Sequence, residues 1–522
     1  MMSQKQPNIV LIVLDTQRRD RLSLYGYHRE TSPNIDDFAQ GATIFDNAIS
    51  AAQWTIPAHA SMFTGEYPTT HQTLQVHATL DGRFDTVAKL LQTNGYQTTG
   101  FCNNPLVGIL NNGLKRGFER FYNYCGAVPS VPKRSNHLPK PLSNLWEFYT
   151  QQLRRLSYPV QNAFAHSDFL FRLSMHPTVV PLWSKLANFK GHTAQSIQDV
   201  VDFLKTKSAN DKPQFVFLNL MEPHTPYAPP DTFIKKFASY FKESREARDV
   251  IRAYNTEAYR WLLPIDESMG DLETTVLSDM YDVEVNYQDH LLGQLLEQLN
   301  GAENTLTIIV ADHGEGIGEH NFMGHSFVAY QELVHVPLII KFPDGLAAQQ
   351  RLTENVSTRR IFHTILTSAG IQPPETAYRP APEIKRLSLN STIEGDDPEQ
   401  GTVLAEAYPP TTIRAILEKR APQLIDKFYC TSNRWAIYQD TYKLVRVDKA
   451  QDELFDLAKS PAETHNIAAL KPEKVEALSN KLKTFVAEAL ARQPDSWQAT
   501  HLLNIKNDET LLKQLRTLGY IE

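Results

Sequence analysis

Six apolar residues in a row, Ile9 to Leu14, end directly on an aspartate, Asp15. A run so short cannot cross a membrane or serve as the apolar stretch of a secretion signal. Its uninterrupted character fits a strand buried on both faces, the kind found in mostly parallel sheets covered by helices. Similar runs recur at Gln97–Cys102, Phe215–Leu220, Leu306–Ala311 and Val336–Ile340. Helical patterns lie between them: Phe84–Asn94 carries Val87, Leu90 and Leu91, and Ser278–Leu299 carries Val283, Tyr287, Leu291, Leu295 and Leu299. Strands alternating with helices predict an α/β fold with a doubly wound, mostly parallel central sheet. Ligands of such sheets bind beyond the carboxyl ends of the strands. Asp15 and Asp312 each follow an apolar run, so both are expected to face that crevice.

The stretch Trp54-Thr55-Ile56-Pro57-Ala58-His59-Ala60-Ser61, closing on Thr64-Gly65, has the shape of a loop entering a helix. Pro57 suits a first helical turn, where its fixed φ fits and its missing N–H costs nothing. Thr55 then sits at the helix mouth, where free N–H groups and the dipole favour an anion. Two readings follow: an ordinary helix-capping threonine, or a hydroxyl placed to attack a phosphate or sulfate ester.

Asp312-His313-Gly314-Glu315 follows another strand, with His320 and His325 close behind. A carboxylate and an imidazole at one strand end, with Asp15 as a third ligand, can hold one divalent cation. Oxygen ligands with one nitrogen suit Mg²⁺, Mn²⁺, Ca²⁺ or Zn²⁺ alike. Taken alone, Asp-His-Gly also fits a capped turn. Glu222-Pro223-His224-Thr225-Pro226-Tyr227 follows the run ending at Leu220, and the flanking prolines are expected to hold His224 extended at the sheet edge.

The remaining chain sets limits. At 522 residues it exceeds a single small core, which predicts one large domain and a smaller one. Formal net charge is −7, so nucleic acid is not an expected partner. Cys102, Cys125 and Cys430 are widely spaced and form neither a disulfide framework nor a cysteine zinc site. With no secretion signal or membrane span in the pattern, the cytoplasm is the expected location.

The expected organisation is a catalytic α/β domain over 1–375, a small α+β domain over 376–492 and a tail over 493–522. Within the second region Arg434–Val447 alternates like a hairpin and Pro472–Leu490 reads as an amphipathic helix. Residues 126–192 stand apart, with eight lysines and arginines against two acids and with interleaved aromatics such as Trp146, Phe164 and Trp183. They read either as a helical insertion packed on its own aromatics, or as a lid or docking face for an anionic substrate or membrane.

Together these motifs resemble the sulfatase family of the alkaline phosphatase superfamily. The resemblance rests on Pro7-Asn8-Ile9-Val10 through Asp15, the Thr55–Gly65 loop with Tyr67-Pro68, Glu222–Tyr227, Asp312–His320 with Gly324-His325, and Glu453-Leu454-Phe455-Asp456-Leu457 with Pro461, Glu463 and Asn466. It implies the doubly wound domain already inferred and a smaller C-terminal domain with an antiparallel sheet. Carried over by position, Asp15, Asp312 and His313 match metal ligands and Thr55 the nucleophile. His224 matches the histidine that contacts the sulfuryl or phosphoryl group. His325 stands where many members have a lysine near the leaving group, and His59 where they have an arginine. Asn104, after the run ending in Cys102, falls near a substrate-contacting position.

Two departures bear on the chemistry. Family members convert a cysteine or serine, within Cys/Ser-x-Pro-x-Arg, to formylglycine, whereas Thr55-Ile56-Pro57-Ala58-His59 has neither that residue nor the arginine. Thr16 stands where many members have a second aspartate. Threonine is the nucleophile of related phosphodiesterases and phospho-group transferases. The expectation is a single-cation hydrolase of phosphate diesters or of phosphonate or phosphate monoesters, acting through a covalent Thr55 intermediate. Sulfuric ester hydrolysis by unmodified Thr55 is the alternative. A phospho-group transferase, or a non-catalytic protein binding anionic lipid or glycan, is the third reading. The expected partner is a phosphate or sulfate ester of a small molecule, glycan or lipid; the sequence assigns no oligomeric state.

Overall fold

The computed structural model describes residues 6–76, 78–125, 129–132, 190–207, 212–343, 349–372, 387–448 and 450–491. The opening apolar run forms β1 (Asn8–Leu14), wholly buried from Ile9 onward. In chain order the following strands are β2 (Thr43–Ile49), β3 (Gln97–Cys102), β4 (Arg120–Asn123), β5 (Gln214–Leu220) and β6 (Thr305–Ala311). Two-residue strands β7 (Gly316–Ile317) and β8 (Met323–Gly324) pair as a separate hairpin before β9 (His335–Lys341) and β10 (Arg351–Ser357).

The main sheet has eight strands in the order β10-β2-β9-β6-β1-β5-β3-β4. β1 lies parallel to β5 and β6, β3 to β4 and β5, and β2 to β10. Of the eight, β9 alone runs antiparallel, to both β2 and β6. That single reversal restores the direction of β2, so the carboxyl ends of β1, β2, β3, β5 and β6 share one edge. The predicted doubly wound sheet is therefore present, with β2, β4 and β10 added to the anticipated runs. β2 escaped the apolar signal because Asp46 and Asn47 interrupt it.

Helices flank the sheet: α1 (Pro33–Ala39), α2 (Thr55–Thr64), α3 (Val87–Thr93), α4 (Thr193–Lys207), α5 (Asp271–Asn300) and α6 (Ile361–Ser368). The 30-residue α5 starts about two turns before the predicted Ser278. Its buried acids have defined partners. Asp289 accepts from Asn34 N at 3.0 Å and Ile35 N at 2.9 Å, filling free donors at the start of α1.

A second sheet follows, β11 (Val403–Ala407), β12 (Arg434–Gln439), β13 (Tyr442–Val447) and β14 (Glu453–Asp456), antiparallel in sequence order. The predicted hairpin is β12–β13. The predicted helix is α7 (Pro472–Ala491), whose Leu478 and Leu482 pack against Ile437, Leu444 and Leu454. The small sheet meets the loop between β2 and α2 directly: Ala52 bridges Glu406, and Glu406 N donates to Ala51 O at 3.0 Å. Of the basic segment 126–192, only residues 129–132 and 190–192 lie among those described; the tail 493–522 lies outside them.

Candidate active site

Five strand ends deliver the candidate residues to one edge of the main sheet. Asp15 follows β1, the Thr55 loop follows β2, Asn104 follows β3, His224 follows β5, and Asp312-His313 follow β6. All six side chains named here are buried.

Thr55 is the first residue of α2, with Trp54 in the N-cap position, so the threonine does not cap the helix. Its Oγ1 lies 3.3 Å from His313 Nε2. His313 Nδ1 donates to Gly314 O at 2.8 Å, which fixes the tautomer and leaves Nε2 as the acceptor. The chain must pass very close at Gly314: a Cβ there would meet Glu332 O at 2.0 Å, so only glycine fits.

Around His313 Nε2 stand Asp312 Oδ2 at 3.5 Å and Asp15 Oδ1 at 3.8 Å. Asp15, Asp312 and His313 offer ligand atoms within 4.8 Å of one another. Asp15 Oδ1 and Asp312 Oδ2 are buried and have no hydrogen-bond partner among the described residues. Burial pushes the Asp15 carboxyl up to about 7, against the hydrogen bond from Asn104, and raises Asp312 well above the usual carboxylate range, with Asp15 adding to the effect. Two buried acids with orphaned oxygens aimed at a neutral imidazole nitrogen form a donor set that a divalent cation would satisfy. The residues present thus fit a metal.

A second group, His320, Glu332 and Glu463, has a comparable spacing. There the Lys443 ammonium already sits 2.6 Å from Glu463 Oε1, with both side chains fully buried. His320, quoted in the sequence beside the first group, belongs to this one.

Asn104 reaches Asp15 rather than open space. Its Nδ2 donates to Asp15 Oδ2, its Oδ1 accepts from Leu106 N at 2.8 Å, and its own N–H donates to Asn219 Oδ1 at 3.1 Å. The side chain is committed to orienting the Asp15 carboxylate. Thr16 adopts φ 56, a left-handed conformation unusual for a β-branched residue, and its carbonyl accepts from Tyr281 OH at 2.7 Å.

The four histidines differ in charge. His59 Nδ1 donates to Thr55 O at 2.9 Å and lies 3.4 Å from Asp312 Oδ2; burial lowers it to about 4. It is neutral at pH 7 and brings no cation where the family's arginine would stand. His224 Nδ1 donates to Thr225 O at 2.6 Å, and burial, then the neighbouring His325, lower it to about 3. Its loop is a tight turn, not the extended segment expected. Both Glu222–Pro223 and Thr225–Pro226 are cis, and His224 N donates to Met221 O at 2.8 Å. Proline's weak trans preference admits that turn, which the sequence rule for residues before proline does not cover.

His325 is the exception. Burial opposes its charge, but the Glu315 carboxylate, 2.8 Å from Nδ1, outweighs it and raises the imidazole's affinity for a proton. Its ring centroid lies 4.5 Å from that of His313 and 5.4 Å from that of His224. Glu315 was not singled out in the sequence; the only signal was its place in Asp-His-Gly-Glu. Lys190, from the basic segment, pairs with Glu284 at 3.0 Å.

Residues 7–371 match the model of the family described as Sulfatase. The chain is 24% identical over 379 residues to "Uncharacterized sulfatase YidJ" of Escherichia coli (strain K12), covering 71% of this chain and 69% of that one. It is 23% identical over 511 residues to an ulvan-active sulfatase of Formosa agariphila, covering 95% and 83%. Among solved structures, a phosphonate monoester hydrolase of Agrobacterium radiobacter shares the fold, with a TM-score of 0.62 at 21% identity over 93% of this chain and 96% of that one. Among the described residues, no helix is long and apolar enough to cross a membrane.

Proposed function

Because this chain belongs to the sulfatase family of metal-dependent ester hydrolases, we propose that it hydrolyses phosphate diesters or phosphonate or phosphate monoesters, with the unmodified Thr55 hydroxyl as nucleophile. One observation carries the reading: a buried threonine hydroxyl, unable to yield formylglycine, stands at the mouth of α2 beside the Asp15–Asp312–His313 donor set. A fold neighbour described as a phosphonate monoester hydrolase supports the phosphorus-ester side of it.

Asp15, Asp312, His313 and the Thr55 oxygen would hold a divalent cation, which would supply Lewis-acid polarisation and favour the ionised form of the Thr55 hydroxyl. Thr55 Oγ1 forms a bond to phosphorus as the bond to the departing oxygen breaks. His325 Nε2 gives that oxygen its proton, while Glu315 keeps Nδ1 paired. Free N–H groups at the start of α2 hold the non-bridging oxygens, while His224, whose single ring proton is given to Thr225 O, lines the site without donating. Water then attacks the Thr55 ester, His325 takes the water's proton back, and Thr55 departs as the alkoxide that began the cycle.

Sulfuric ester hydrolysis is the second reading, favoured by relatives that carry the name sulfatase. Both groups are tetrahedral anions, so the experiment is direct comparison. Turnover of bis-nitrophenyl phosphate and of nitrophenyl phenylphosphonate is measured beside nitrophenyl sulfate on the metal-loaded protein. Higher kcat/KM on the phosphorus esters supports the proposal; sulfate ester turnover alone refutes it.

A further inference from the structure

The loop between β2 and α2 is fastened from three sides, and one side chain joins two of them. Gln53, two residues before Thr55, is wholly buried. Its Nε2 donates to Ser326 O at 3.2 Å and to Tyr408 O at 3.0 Å. Ser326 is the residue after His325, and Tyr408 is the residue after β11 of the small sheet. Main-chain contacts and the Ser50 hydroxyl hold the rest of the loop. Ser50 N donates to Val334 O at 2.7 Å, the Ser50 hydroxyl donates to Ala52 O at 2.8 Å and to Asp312 O, and Ala51 O accepts from Glu406 N.

We propose that Gln53 is a positioning residue which sets the distance between the Thr55 nucleophile and His325, using the small sheet as its fixed anchor. The proposal rests on the reading of Thr55 as nucleophile. A planar amide suits the task, because both hydrogens of one nitrogen serve two carbonyls on different segments. Glu and Met at this position donate neither hydrogen bond, and Asn falls one methylene short. Gln53 touches no reacting atom. It acts by keeping the attacking oxygen and the proton donor in register, so that bond formation at one coincides with protonation at the other.

The effect expected of losing register is on kcat rather than on substrate binding, since displacements of about 1 Å at a reacting centre cost on the order of 100-fold in rate. The test measures kcat, KM and bound metal per folded protein for Gln53→Met and Gln53→Asn in the full chain, with Thr55→Ala alongside. The expected result is a fall in kcat of about 10- to 100-fold in Gln53→Met and a smaller one in Gln53→Asn. KM should stay within about threefold and metal content should be unchanged. Wild-type kcat in both variants while Thr55→Ala is inactive overturns the role of Gln53 alone. A fall in kcat matched by an equal fall in bound metal also overturns it. Full activity of Thr55→Ala overturns the nucleophile reading itself, whatever Gln53 does.

Discussion

Glu315 Oε1 lies 2.8 Å from His325 Nδ1, and this contact separates His325 from the other three histidines of the site. His59, His224 and His313 are pushed toward the neutral form by burial, whereas the carboxylate holds the proton on His325. The site therefore has one acidic imidazole at the place expected for the leaving group. Glu315→Gln should reduce kcat by about 10- to 100-fold on esters with poor leaving groups, and much less on nitrophenyl esters, which depart without a proton. A series of leaving groups of rising pKa, compared between wild type and variant, measures the difference as a change in slope.

Orphaned oxygens on Asp15 and Asp312 predict strict metal dependence. Dialysis against a chelator should abolish turnover and lower the thermal midpoint, because a ligand bound only by the native state stabilises it. Activity and midpoint should return together on adding Mn²⁺, Mg²⁺, Ca²⁺ or Zn²⁺, and the order of recovery identifies the preferred ion. Asp312→Asn should bind less metal at equal concentration, as measured by elemental analysis.

Much of this site could be read from the chain before any coordinates. β1 and β6 announce themselves because strands buried on both faces need uninterrupted apolar residues, and Asp15 and Asp312 then fall at strand ends by necessity. Pro57 marks the start of α2 for an equally local reason. What stayed hidden is non-local or two-sided. β2 has polar residues mid-strand. Asn104 was placed near the site, but its bond to Asp15 spans 89 residues. Gln53 meets Tyr408 across 355 positions, and no spacing rule reaches that far. The turn at His224 depends on the isomer of two proline bonds, which a single sequence does not specify.

The Lys443–Glu463 pair joins the small sheet to the segment before β9. Lys443 Nζ lies 2.6 Å from Glu463 Oε1 and donates to Ala329 O at 2.6 Å, and neither side chain is exposed. Lys443→Met should destabilise the protein by about 3–5 kcal/mol, since it leaves a buried carboxylate without its cation. The doubly substituted Lys443→Met/Glu463→Gln protein should recover part of that loss. Urea unfolding of the single and double variants measures both.

Glu406 gives a pH-dependent effect away from the Asp15–Asp312–His313 group. Burial pushes its carboxyl up to about 7, although Thr69 and Tyr408 donate hydrogen bonds to it. A carboxyl whose folded pKa lies above its unfolded value, about 4.3, weakens the fold progressively as pH rises between the two. Glu406→Gln should therefore be near neutral at pH 4 and stabilising at pH 8, by up to about 3 kcal/mol. Unfolding midpoints of variant and wild type at the two pH values test the sign.

The central claim is that the unmodified Thr55 hydroxyl forms the covalent bond to substrate, and the most direct measurement is kcat/KM of Thr55→Ala on bis-nitrophenyl phosphate with metal bound. Loss of a nucleophile that acts as a unit with its metal should cost on the order of 1,000-fold or more. Activity within about threefold of wild type in a folded, metal-loaded Thr55→Ala protein would contradict the account.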